Sequence, residues 1–283
     1  VADDAVDAEQ TAVSTADVSV SDENAVSAWI DQAGAFAVRT VRDVARSWTV
    51  LGTAVGLPAV MYLLLTATGD FSPTRTGTFA VGIAVLGAMI SSLTVFGSQL
   101  AVDAEDKRFH AYRAMVVSPS ADVVGRMVAA VGVAGVSLSV ALLVGVASGA
   151  PIGVDGVVPA LAAFGGLVGV SVVFAAAAVP VVVAANNERY AQFVLSLVAV
   201  FAFMLTGYNG ILPSVAVLDE SVVRLLPNAL ATRTMALQLV ATDGVGVTQT
   251  DGWAGLLAVY GLFSTGVVVL LVRVGLYDRG VSG

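Results

Sequence analysis

Cysteine is missing from this 283-residue chain. Without it there is no disulfide, no thiolate metal site and no redox thiol. Lysine and histidine are almost missing: Lys107 is the only lysine and His110 the only histidine. That lysine follows Ala104, Glu105 and Asp106 rather than glycines. No G-x-x-x-x-G-K-[ST] phosphate cradle exists, and any work driven by ATP must come from another chain. The bases form no stripe of the kind that binds nucleic acid. Charged residues are scarce at 12%, about half the share of a soluble domain. In their place stand apolar residues, 57% of the chain, with a mean hydropathy of +0.90. Runs of about 20 apolar residues recur, which is the length a bilayer core requires. The expected class is an all-α polytopic membrane protein.

The few charges are unevenly spread. Residues 1–23 hold seven acids and no base; the rest of the chain holds 14 acids and 13 bases. Arginine outnumbers lysine 12 to one, and aspartate outnumbers glutamate 16 to five, a composition that resembles salt-loving archaea. Residues 1–23 have no apolar period and read as a disordered acidic tail. They also lack the basic and apolar regions of a cleavable signal. Over 24–47 a helical period emerges, with Val26, Trp29, Ile30, Ala33, Ala37, Val41 and Val44 on one face. Asp31, Arg39, Arg42, Asp43 and Arg46 take the other. This predicts an amphipathic interfacial helix with its arginines toward headgroups.

Six spans are expected in the remaining domain, 48–283: about 48–68, 77–100, 127–148, 157–185, 191–210 and 253–272. With residues 1–47 cytoplasmic, ten of the 13 bases fall on the inner side and Arg75, Arg224 and Arg233 on the outer. That bias places both termini inside a cell membrane. No Asp, Glu, Lys, Arg or His falls in the six cores. This argues against an ion-coupled carrier, whose coupling charge is usually ionisable, and against an acid/base or metal enzyme within the membrane. Gly52/Gly56, Gly145/Gly149 and Gly165/Gly169 have the spacing of close helix contacts.

Two connections stand out. Residues 103–126 are the longest charged segment between spans and read as helix, corner, helix. Pro119 opens the second helix, with Ser118 as its N-cap and Asp122 in its first turn. Glu105, Arg108 and Arg113 are available to pair within the loop or with a partner. Residues 207–252 stay apolar but are broken by Gly207, Gly210 and Pro213, and Pro227 opens a short helix. Broken apolar segments of this kind read as re-entrant or short-helix pieces of an outer cap.

Over about 36–275 these pieces, in this order, resemble the type-2 ABC transporter permease family. The resemblance rests on Glu105-Asp106-Lys107-Arg108, then Ala114–Pro119 ending in Ser-Pro, then Gly125-Arg126. It continues with Gly207, Gly210, Pro213 and Leu226-Pro227-Asn228 after span five. Lys107-Arg108-Phe109-His110 departs from the family's usual Glu-x-Gly-Thr, and the acidic extension is unusual.

The resemblance implies the permease subunit of an ATP-driven exporter. Such a subunit acts as a homodimer or heterodimer in the bilayer, with ATP and Mg held by separate ABC ATPase subunits. Coupling would run through Glu105, Arg108, Phe109, Arg113, Met115, Ser118, Pro119 and Asp122. Spans one, two and five would wall the path, with Phe96, Phe201, Phe203, Met204, Tyr208 and Asn209 as lining. Gly210, Pro213, Pro227 and Asn228 would form the outer cap. An uncharged lining fits lipophilic or lipid-linked cargo. The competing readings are an ion-coupled secondary carrier and a non-transporting membrane anchor or assembly protein. No catalytic or metal site is expected in this chain.

Overall fold

The computed structural model describes residues 3–69, 71–154, 156–185, 187–240 and 253–277; side chains at 3–23, 68, 213, 253 and 254 lie outside that description. The helices are α1 (Asp3–Arg46), α2 (Trp48–Leu51), α3 (Leu57–Thr68), α4 (Pro73–Glu105), α5 (Arg108–Ala114) and α6 (Pro119–Ala147). They continue as α7 (Val157–Ala184), α8 (Glu188–Leu205), α9 (Gly207–Gly210), α10 (Glu220–Val223), α11 (Pro227–Leu239) and α12 (Trp253–Val272). Among the described residues there is no strand, only one antiparallel bridge between Ile152 and Val240. Six helical segments are long and apolar enough to cross a membrane: Trp48–Ala67, Pro73–Glu105, Pro119–Ala147, Val157–Ala184, Glu188–Leu205 and Gly255–Tyr277. This is a multi-pass membrane protein. The acidic tail and the polar stretch at 241–252 fall among residues whose side chains or backbone are not described.

Helix α4 is the centre. Residues 79–98 are buried without interruption, and α3, α6, α7, α8 and α11 all pack against it. A helix that is apolar on every face belongs inside a bundle. Its small residues admit neighbours closely; at Gly87 a Cβ would lie 2.4 Å from Ser137 Oγ and 3.0 Å from Pro58 Cγ. The expected G-x-x-x-G pairs do not act as pairs. Gly52, Gly56, Gly149 and Gly165 face open space, while Gly145 meets Ala80, Ile152 and Ala150 and Gly169 meets Leu257.

The first span is not a continuous α-helix. A π-turn at Gly52–Gly56 separates α2 from α3, and Pro58 sits in the first turn of α3. Proline has no N–H to offer the carbonyl of Ala54, four residues back. Two serines supply donors instead: Ser91 Oγ at 3.2 Å from α4 and Ser137 Oγ at 2.5 Å from α6 both donate to that oxygen. A backbone group freed inside a membrane bundle must find such a partner.

Helix α11 is more than a lid. It is wedged against α4, α7 and α12, and most of its side chains are buried. Its end is pinned to the α6–α7 turn, where Gly153 N–H donates to Leu239 O at 2.8 Å. Span five also stops earlier than its apolar run. Helix α8 ends at Leu205, and Gly207, Tyr208, Asn209 and Gly210 all have positive φ.

The proline and the serines should be coupled. Ser137→Ala is expected to cost about 1 kcal/mol of stability, and markedly less in a Pro58→Ala background, where residue 58 regains its N–H. Unfolding free energies of the four proteins in detergent measure this; equal losses in both backgrounds would refute the pairing.

Candidate functional site: an ion-pair knot beneath the elbow

The chain between α4 and α6 turns two sharp corners. Lys107 (φ 56°) precedes α5 and Val116 (φ 55°) follows it, both left-handed. A β-branched residue rarely adopts this conformation. The short helix between them is therefore set at an angle to both spans, forming an elbow. Met115 and Val116 make its tip, 63% and 83% exposed.

Under the elbow lies a cluster of charges inside the protein. Asp103, in the last turn of α4, is fully buried. Arg126 of α6, 1% exposed, bridges it to Asp122: its Nη2 is 2.5 Å from Asp103 Oδ2 and its Nε 2.5 Å from Asp122 Oδ1. This triad carries two carboxylates and one guanidinium, so it needs a further cation. Two come from the rim. Arg39 of α1 and Arg108 of α5 each donate to Asp103 Oδ1 at 2.8 Å. Tyr112 of α5 donates to Asp103 Oδ2 at 2.7 Å and accepts from Arg39. Tyr277, just beyond α12, donates to Asp122 Oδ2 at 3.0 Å.

Aromatic rings seal the cluster. Phe36 of α1 stacks edge-on against Tyr112 at 5.4 Å and lies under the Arg126 guanidinium at 5.3 Å. Phe109 contacts Tyr112 and Tyr277 at 5.8 and 5.1 Å. Burial, followed by the bond to Asp103, raises the Tyr112 phenol above its ordinary range. It stays a donor throughout the neutral range. Burial alone would lower the Arg39 pKa, but the contacts with Tyr112 and Asp103 outweigh it and raise it.

Helix α1 also grips the elbow directly. Gln32 Oε1 accepts from Ser118 N–H at 2.9 Å, and Trp29 Nε1 donates to Ser120 Oγ at 2.9 Å. Gly125 permits the approach, because a Cβ there would lie 2.2 Å from the Ala33 carbonyl oxygen. The packed face of α1 is Trp29, Ala33, Phe36, Thr40 and Val44, while Val26, Ile30 and Val41 of the expected apolar face are exposed.

The residues expected to couple divide accordingly. Phe109 and Asp122 point into the knot, and Arg108 spans its rim and Asp106. Glu105 Oε2 accepts from the Glu188 N–H at 2.9 Å. Arg113 lies 2.6 Å from His110 Nδ1. Pro119 opens α6, but Ser118 makes no side-chain cap; its hydroxyl pairs with Ser120 Oγ instead. The reading of residues missed Asp103, Tyr112, Arg126, Arg39 and Tyr277 as one site. A partial signal existed in the i, i+4 spacing of Asp122 and Arg126.

The expected lining does not form one wall. Phe96, Phe203 and Asn209 are buried within the chain, whereas Phe201 and Met204 are exposed on α8. Two residues along a helix is about 200° of rotation, so Phe201 and Phe203 face opposite ways. Tyr208 sits between Phe203 at 5.0 Å and Phe79 at 6.3 Å. The enclosure of α4 removes span two from any open surface in this conformation. An apolar groove of about 500 Å³ lies elsewhere, between α6 and α7, lined by Gly132, Gly135, Leu138, Ala163, Phe164 and Leu167.

At the far end, Asn228 and Asn209 hold the left-handed turn. Asn228 Nδ2 donates to Asn209 Oδ1 at 2.8 Å and to Thr206 Oγ1 at 2.9 Å; Asn209 Nδ2 donates to Gly82 O at 2.9 Å. Gly210 (φ 81°) packs against Ala229. Pro227 opens α11 and Pro213 a 3-10 turn. Gly210, Pro227 and Asn228 thus meet at one corner.

Comparison with protein-family models, with curated proteins and with solved structures finds no match to this chain.

Arg126→Met would leave buried Asp122 with no cation and Asp103 with its rim donors alone, and is expected to cost about 3–5 kcal/mol. Adding Asp103→Asn and Asp122→Asn should restore at least half of that loss. Chemical unfolding in detergent reports both; a single variant as stable as the wild type would show that the knot holds nothing together.

Proposed function

We propose that this multi-pass membrane protein is the permease subunit of an ATP-driven transporter of the type-2 ABC kind, an exporter of lipophilic or lipid-linked cargo. The observation that carries the reading is the elbow: an exposed apolar tip, Met115–Val116, on a helix fastened to the bundle by the buried charges of Asp103 and Arg126. A tip that only covered the ends of two spans would need no such anchorage. A connection between bundle helices needs about 2–8 residues.

In this reading a separate ATPase subunit docks on the tip. ATP and Mg bind to that partner, and its closure pushes on α5. The knot turns the push into motion of α1, α4, α6 and the end of α12 together, because all of them hold the same pair of carboxylates. A second permease copy, identical or related, covers the exposed α8 face of Tyr190, Phe193, Phe201 and Met204. Cargo moves only if its affinity differs between the two positions of the bundle. The elbow end is cytoplasmic, both termini lie on that side of the cell membrane, and α1 rests on the membrane surface. The left-handed turn and α11 form the outer closure.

Arg113→Ala with Met115→Ala alters the tip and leaves the knot intact. A mild-detergent pull-down of the tagged wild type should recover an ATPase with a phosphate-loop motif, and the double variant should lose most of it. No ATPase with the wild type sinks the transporter reading. Equal recovery with both proteins moves the docking site away from the elbow.

A further inference from the structure

Over residues 24–46 helix α1 has three faces, and among the described residues only one of them packs against the protein. The packed face grips the elbow. A second face carries exposed apolar residues, Val26 (58%), Ile30 (56%) and Val41 (48%), and Trp48, 86% exposed, follows at the start of α2. The third carries Arg42 and Arg46, one turn apart and exposed. Neither has an ion-pair or hydrogen-bond partner among the described residues, whereas Arg39 is shared between Asp103 and Asp43.

Two free arginines beside an apolar stripe, on a helix joined to the first span through the single extended residue Ser47, make a surface complementary to an anionic leaflet. Covalent continuity fixes its depth: residue 48 enters the hydrocarbon, so residues 42 and 46 lie at headgroup level. We propose that Arg42 and Arg46 bind anionic lipid headgroups, and that this lipid clamps α1 onto the elbow, so that leaflet charge controls how tightly the knot is closed. The proposal rests on the interfacial placement of α1 in the reading above. It goes beyond that placement in assigning a ligand and a consequence. Arg39 lies on the same two turns as Arg42 and Arg46. Holding the outer face of α1 on the leaflet therefore holds Arg39 on Asp103. The acids of residues 1–23 precede this segment and limit the attraction to its membrane-proximal end.

The test is amide hydrogen exchange over residues 36–46 of the full chain in nanodiscs. Phosphatidylglycerol should slow exchange by roughly an order of magnitude relative to phosphatidylcholine, an effect of two arginines near a charged surface, and high salt should abolish the difference. Arg42→Gln with Arg46→Gln should remove the phosphatidylglycerol effect and leave exchange in phosphatidylcholine unchanged. Glycerol phosphate added to phosphatidylcholine discs should not substitute for the lipid. Equal exchange in both lipids, an effect that survives in the double variant, or full rescue by glycerol phosphate overturns the proposal. Quenching of Trp48 by brominated phosphatidylcholine, in a Trp29→Phe, Trp253→Phe background, separates the two layers. Quenching without lipid selectivity refutes only the headgroup site, and absent quenching refutes the interfacial placement as well.

Discussion

A carboxylate in an apolar interior must be neutralised, and the base of this bundle is arranged around that demand. Asp103 is fully buried, and its two oxygens accept from Arg126, Arg39, Arg108 and Tyr112. Those donors come from α6, α1 and α5, while Asp122 brings in Tyr277 from beyond α12. Losing Arg126 leaves Asp122 uncompensated at low dielectric. The elements are therefore committed to one mutual geometry. A burial of this kind is weak evidence for net stability but strong evidence that position matters, since apolar residues could fill the same space.

The same rule shapes the rest of the protein where the backbone leaves the regular helix. The π-turn and Pro58 free the Ala54 carbonyl, and two serines from neighbouring spans satisfy it. The left-handed turn at 207–210 is held by Asn228, which donates to Asn209, and by Asn209, which donates to the Gly82 carbonyl. Left-handed backbone costs roughly 1–2 kcal/mol per non-glycine residue, so Tyr208 and Asn209 persist there only because their side chains are tied down by ring packing and amide bonds. At these irregular places polar side chains satisfy the backbone. The regular lengths between them need only apolar contact.

The two ends of the bundle are built differently. At the elbow end charge holds the elements, and a strained, exposed tip protrudes. At the far end amides and glycines hold a compact corner against a short helix packed within the spans.

Hydropathy alone pointed to six helices long and apolar enough to cross a membrane, because the length of such a helix and the apolarity of its side chains are local quantities. Of the elbow's two corners only the one beside Ser118-Pro119 was legible, because that dipeptide restricts backbone torsions wherever it occurs; the left-handed Lys107 breaks what read as one helix out of span two. What α4 does was not legible, since a helix buried on all sides and one facing lipid have the same composition. For that reason Phe96 read as lining and proved to be core. The knot was equally hidden. Arg39, Asp103, Arg126 and Tyr277 are distant in the chain, and their separate charges read as loop residues until packing brought them within hydrogen-bonding distance. Sequence determined where the chain crosses the membrane; the tertiary structure alone decided which charges meet, because pairing across helices depends on rotation and depth that no local pattern encodes.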